Sequence, residues 1–386
     1  SVVTGWALKY FLLSATGGLA GQAPEAYWDA YSTSIWQPIG FHLAAVGIGA
    51  AIILRGVVSG IERANRVLIP VLFALLIVAV ARSVTLPGAH RGLEFLFNPD
   101  LSTLTSYRTW LEALTQSAWS TGAGWGMILT YATYMRKNDD VVLNATTIGF
   151  GDNSASLLAG MAVVPTAFAI LSTEEAMTVM ASSNYGLTFI WIPQLFERVP
   201  GGAIFLPLFF LALFSAALSS LIAMIELATR ILIDGGMVRR RAVRLVAGAV
   251  AVCGIPSAVN VSILENQDWV WGIALMISGL FISIAATQYG QERFRTELVN
   301  VPGNDFNLGR LYSWVLKYLV PAEFVAMFAW WMYQAATVYD PDGWWNPTHT
   351  FSVGTCLVQW GLAFVLLISF NKRMARASVA GSAEAA

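Results

Sequence analysis

Residues 110–126 read WLEALTQSAWSTGAGWG, and the chain then resumes as an apolar helix as far as Tyr134. Three glycines, Gly122, Gly124 and Gly126, fall within five positions, and each costs a helix up to about 1 kcal/mol relative to Ala. Yet the surrounding window, 108–135, is apolar enough to cross a bilayer, for which about 20 residues suffice. Unwound backbone at that depth survives only where it lines a cavity or binds something. Broken helices with freed carbonyls are the usual construction of ion and substrate sites in membrane transporters. Close helix packing through small residues is the plainer account of the same glycines.

The rest of the 386 residues supports a membrane setting. Hydrophobic residues make up 56% and charged residues only 12%, about half the 25% typical of soluble domains, and mean hydropathy is +0.62. This excludes a soluble enzyme, a secreted disulfide scaffold and a disordered chain. A net charge of −1 leaves no argument for nucleic-acid binding. Apolar windows fall at about 37–55, 64–84, 108–135, 141–171, 202–232, 241–258, 268–290, 311–335 and 351–371, nine candidate spans of an all-α polytopic protein. Ser1 to Ala15 is too short to cross, has no basic flank of a signal peptide, and reads as the middle of a helix whose start lies upstream. Cys253 and Cys356 lie in apolar runs and read as small core residues.

Basic residues alternate between loops. Arg55, Arg63, Arg66, Arg136, Lys137, Arg230, Arg239, Arg240, Arg241, Arg244, Arg293, Arg295, Arg310, Lys317, Lys372, Arg373 and Arg376 all follow odd-numbered spans, whereas 18–36, 258–267 and 336–350 hold no Lys or Arg. The positive-inside rule therefore predicts a cytoplasmic C-terminus and residues 18–36 outside. Outside segments 87–106 and 173–200 look structured, the latter with a helix from Thr173 to Met180.

Other polar features accompany the broken span. Asp152, Asn153, Ser154 and Ser156 place a carboxylate, an amide and hydroxyls in the next apolar segment, with Asp152 and Ser156 one turn apart. A carboxylate at that depth is a functional-site hypothesis by default. Ala216, Ser219 and Ser220 add hydroxyls in the fifth span, and Glu226 follows on a similar face. Hard oxygen donors suit an alkali cation, while back-bonding to helix carbonyls is the structural alternative for the serines. His42, His90 and His349 are scattered, with no nucleophile-and-base or metal spacing, so no enzyme is indicated.

The run QSAWSTGAGWGMILTYATYMRK (116–137) with DDVVLNATT after it, LRGVVSGIER (54–63), AALSSLIAMIE (216–226) and KYLVP (317–321) resemble, in order and spacing, the neurotransmitter:sodium symporter family. The resemblance spans essentially the whole chain. It implies one transmembrane transporter domain over 1–386, with an inverted five-plus-five repeat and broken helices at its centre. Residues 1–17 would be part of the third helix, about 37–371 helices four to twelve, and 372–386 a cytoplasmic tail. The first two and a half helices would precede Ser1, with half of each sodium site, so the chain as given is expected not to transport alone. The implied activity is sodium-driven import of an amino acid or related small amine across the plasma membrane of a bacterium. Short, sparsely decorated outside loops point the same way. A channel or non-transporting membrane subunit that keeps the fold is the alternative.

Carried over position by position, the resemblance makes Ser120 and Asp152 ligands of a first sodium, and Ala216 (carbonyl), Ser219 and Ser220 ligands of a second. Trp119, Thr121, Gly122, Trp125, Ser220 and Met224 would line the substrate. Asp268 resembles an extracellular gate acid, Asp234 an intracellular one, and Tyr134 the aromatic beside it. Gln116, Asp152 and Ser156 occupy the anion site. The family usually has Asn where Asp152 stands, and chloride-independent bacterial members put Glu at the Ser156 position. Asp152 is therefore expected to supply the negative charge, so that chloride is not required. A one-residue slip would make Asn153 the ligand instead.

Overall fold

The computed structural model describes residues 1–19, 21–122, 124–136, 139–181, 184–198 and 200–384. Lys137 lies outside them, as do the side chains of Arg373 and Arg376. In chain order the helices are α1 (Val2–Ala15), α2 (Pro24–Ser32), α3 (Trp36–Leu54), α4 (Arg63–Val84), α5 (Ala89–Phe97), α6 (Tyr107–Ser120), α7 (Met127–Ala132), α8 (Val141–Ile170) and α9 (Thr173–Met180). They continue as α10 (Asn184–Gly186), α11 (Ile192–Glu197), α12 (Gly202–Asp234), α13 (Arg239–Cys253), α14 (Ile255–Val259), α15 (Val261–Phe294), α16 (Arg310–Trp314), α17 (Val320–Gln334) and α18 (Val353–Glu384). No strand occurs among the described residues.

Among the described residues, eight helical stretches are long and apolar enough to cross a membrane. They match eight of the nine windows read from the sequence. The ninth, 108–135, is not one helix: α6 ends at Ser120 and α7 begins at Met127. Gly122, Gly124 and Gly126 between them have φ of +68°, +81° and +77°, left-handed values that an L side chain resists. The glycines do break the span.

The chain forms two compact units. One comprises Ser1–Asp100, Ser154–Ile233 and Met237–Val261. Its α1 crosses α3 at Gly5, where a Cβ would stand 2.7 Å from the Phe41 carbonyl carbon. Trp6, Tyr10 and Phe189 are buried together, and the rings of Trp28 and Phe189 stack at 5.1 Å. His42 is fully buried and bonds through Nε2 to the Ala251 carbonyl at 3.0 Å, a packed and hydrogen-bonded role. The helix expected over Thr173–Met180 is present as α9, opened by a reciprocal cap between Ser172 and Glu175. Only 6% of the apolar window of the Val57–Val84 span is buried inside the protein, a surface that hydrocarbon rather than water would cover. Cys253, expected in the core, lies exposed on α13, and Cys356 is buried; both are free thiols.

The other unit comprises Leu101–Asn153, Asp234–Gly236 and Ser262–Ala386. Here α6 and α17 are tied by Trp331 Nε1 donating to Thr115 Oγ1 at 3.2 Å. Helices α15 and α18 are tied by Trp360 Nε1 donating to the Val270 carbonyl at 3.0 Å and by Gln359 Nε2 donating to Asn266 Oδ1 at 2.8 Å. This scaffold holds the broken span.

Candidate functional site

The glycine break sets the last turn of α6 beside α8. Ser120 Oγ donates to the Asp152 carboxylate, 2.9 Å from Oδ1 and 2.8 Å from Oδ2. Both residues are partly buried, so the carboxylate keeps a hydroxyl partner in place of water, the condition under which a charge at such depth is tolerated. Asn153 is exposed on α8, as is Ser156. The carboxylate and hydroxyl are hard oxygen ligands of the type alkali cations take.

Next to this pair, α6, α15 and α17 enclose a cavity of about 680 Å³. Gln116, Trp119, Thr121 and Gly124 line it from the broken span, Asp268 and Trp269 from α15, and Glu323, Phe324 and Trp331 from α17. Trp119 and Trp125 lie with ring centroids 5.4 Å apart, tilted by 56°. The indole nitrogen of Trp125 is buried without a hydrogen-bond partner, a donor available to an oxygen acceptor. Gly122 and Trp125 are not part of the cavity wall.

Glu112 also lines the cavity, with Gln334 Nε2 at 3.5 Å from its Oε1. Neither Glu112 nor Glu323 was singled out from sequence. Glu323 carried a usable signal, since it is a carboxylate in the apolar run 311–335. The role of Trp269, Trp331 and Gly272 as wall residues had no sequence signal, because helical spacing alone does not say which face turns toward α6.

The remaining predicted residues lie as follows. Ala216, Ser219, Ser220 and Met224 belong to α12, in the other unit. There the Ser219 hydroxyl donates to the Ala216 carbonyl at 2.9 Å, the back-bonded arrangement, while Ser220 and Met224 are exposed. Glu226, which follows Ser219 on a similar face of α12, is fully buried and bound by Arg239 through two hydrogen bonds of 2.8 Å. Its charge is matched by an ion pair. Asp234 is the last residue of α12, and Tyr134 is half-buried just after α7.

Comparison with known proteins bears on what this arrangement is. The sequence model of the Sodium:neurotransmitter symporter family matches residues 36–376. The chain belongs to that family. An uncharacterized sodium-dependent transporter of Bacillus subtilis (strain 168), YhdH, is 29% identical over 353 residues, covering 85% of this chain and 75% of its own length. The sodium- and chloride-dependent betaine transporter of Caenorhabditis elegans is 24% identical over 94% of this chain and 64% of its own length. The crystal structure of MhsT in complex with L-phenylalanine matches with a TM-score of 0.73 and 26% identity, covering 85% of this chain and 76% of that one. This symporter-family chain is thus an integral membrane protein with the all-α inverted-repeat transporter fold and a broken helix at the expected place. Its family is one of transporters.

Proposed function

We propose that the protein imports an amino acid or a related small amine by sodium-coupled symport. The observation that carries this reading is the Ser120–Asp152 pair set against the three-glycine break. A carboxylate, a hydroxyl and carbonyls freed by an unwound segment make an oxygen-rich setting for a first sodium ion. The Ala216 carbonyl with Ser219 and Ser220 are the ligands of a second. Trp119, Thr121, Gly122, Trp125, Ser220 and Met224 face the solute, Asp268 and Asp234 act as outer and inner gate acids, and Tyr134 stands beside the inner one.

Aromatic walls of the cavity suit an apolar side chain, and MhsT, which matches this chain, was crystallised with L-phenylalanine. Gln116, Asp152 and Ser156 form the charge site, in which the Asp152 carboxylate takes the place of chloride. The C-terminus lies in the cytoplasm, with the protein in the plasma membrane. Sodium drives transport only if it binds the outward-open state better than the inward-open one, since equal affinity shifts nothing.

The test is uptake of labelled L-phenylalanine, other amino acids and betaine into proteoliposomes holding the protein encoded by the complete natural gene. Accumulation against a gradient, driven by inward sodium and unchanged when gluconate replaces chloride, supports the reading. Uptake that only equilibrates would mean a passive pore. Chloride-stimulated transport by the natural protein would refute the role given to Asp152.

A further inference from the structure

Helix α15 meets the broken span at two glycines seven residues apart. At Gly272 an added Cβ would stand 3.0 Å from Cζ3 and 3.2 Å from Cη2 of Trp119, so the indole rests directly on helix backbone. At Gly124 an added Cβ would strike the Leu275 carbonyl oxygen and lie 2.8 Å from the Gly279 nitrogen. The first contact is ring on backbone, and the second is backbone on backbone. Gly279 itself is roomy, with Gly124 Cα the nearest atom at 3.9 Å. Trp119 and Gly272 both line the cavity, and the ring centroids of Trp119 and Trp125 lie 5.4 Å apart.

We propose that Gly272 is a specificity-determining residue: by lacking a side chain it lets the Trp119 indole lie back against α15, and so sets how bulky a side chain the cavity admits. This rests on the reading of the protein as an amino-acid symporter. A methyl group at position 272 forces the rigid ring away by a few tenths of an ångström and itself occupies the wall. The loss then falls on large solutes, because filled space matters only to a solute that needs it. Simple helix packing at Gly272 would make no such distinction and would weaken every solute alike.

The experiment compares L-phenylalanine with L-alanine uptake by Gly272→Ala, Trp119→Phe and the double variant, in the complete protein. Gly272→Ala is expected to raise KM for phenylalanine about tenfold with Vmax within about twofold, and to leave KM for alanine within about twofold. Adding Trp119→Phe, which removes the ring edge that meets position 272, restores most of the phenylalanine affinity. Equal losses for both solutes, or no recovery in the double variant, overturn the proposal. If the natural protein takes up neither solute, the symport reading fails separately. Cavity width is then read without any solute by labelling Thr121→Cys, in a Cys253→Ser, Cys356→Ala background, with a small methanethiosulfonate and a bulky maleimide. Gly272→Ala should slow only the bulky reagent, and equal slowing overturns the proposal. Should Gly272→Ala not fold, Trp119→Phe alone should speed the bulky reagent selectively, and an unchanged ratio is refuting.

Discussion

Arg239 grips the buried carboxylate of Glu226 through both oxygens, at 2.8 Å each, and also donates to the Ile53 carbonyl at 3.3 Å near the end of α3. Three helices, α3, α12 and α13, therefore share one ion pair. Glu226 has no exposed surface, whereas the Arg239 side chain keeps 27%. The contribution is asymmetric. Removing the arginine strands a buried charge, which typically costs about 3–5 kcal/mol, while replacing both partners is far milder. Arg239→Leu should lower the unfolding free energy by about that amount in detergent denaturation curves, and Glu226→Gln in the same chain should recover most of it.

The Ser120–Asp152 pair leads to a sodium-dependence prediction. A hydrogen bond to a charged acceptor contributes about 1.5–3 kcal/mol, and 1.4 kcal/mol is tenfold in affinity. Ser120→Ala should therefore raise the half-saturating sodium concentration of uptake at least about tenfold. Asp152→Asn should do likewise and make uptake respond to chloride. Both are read from sodium titrations in chloride and in gluconate.

The glycines of the break are not equivalent. Gly124 combines φ of +81° with the collision of any Cβ against the Leu275 carbonyl, which is backbone and cannot swing away. Gly122 has φ of +68° but its nearest neighbours, side-chain atoms of Met127 and Trp125, stand at 3.6 Å. Gly122→Ala should cost about 1–2 kcal/mol, the strain of a left-handed alanine. Gly124→Ala should cost clearly more and abolish uptake. Melting temperatures of the purified variants check the order.

Asp140, just before α8, accepts from the Leu143 amide at 2.8 Å and from the Asp305 amide at 2.6 Å. The Leu143 amide first, then those of Asp305 and Val142, hold its carboxyl below the usual aspartate value of 3.8. With the folded value lowered, the stabilisation is complete above the ordinary aspartate range and is lost as pH falls through the lower, folded value. Asp140→Asn should mimic the acid state at neutral pH. Faster amide exchange at Asp305 and Leu143 in that variant, against unchanged exchange in α15, is the expected readout.

Membrane class, eight of the apolar spans and the location of the break were legible in the sequence because each depends on local composition: 20-residue apolar windows, left-handed glycines and a carboxylate in an apolar run. Ser120 and Asp152, 32 residues apart, could be paired only through the likeness of QSAWSTGAGWG and the DDVVLNATT stretch after it to a known family. Periodicity placed Glu226 near Ser219, but it could not supply Arg239 as its partner. That pairing depends on how α13 returns against α12. The cavity wall of Gly272, Trp269 and Trp331 was likewise hidden, since a helix hydrophobic on every side does not announce which stripe meets protein and which meets lipid. Local backbone preferences and burial from water are encoded residue by residue. Which buried groups touch depends on helix rotation and crossing, which only the packed chain sets.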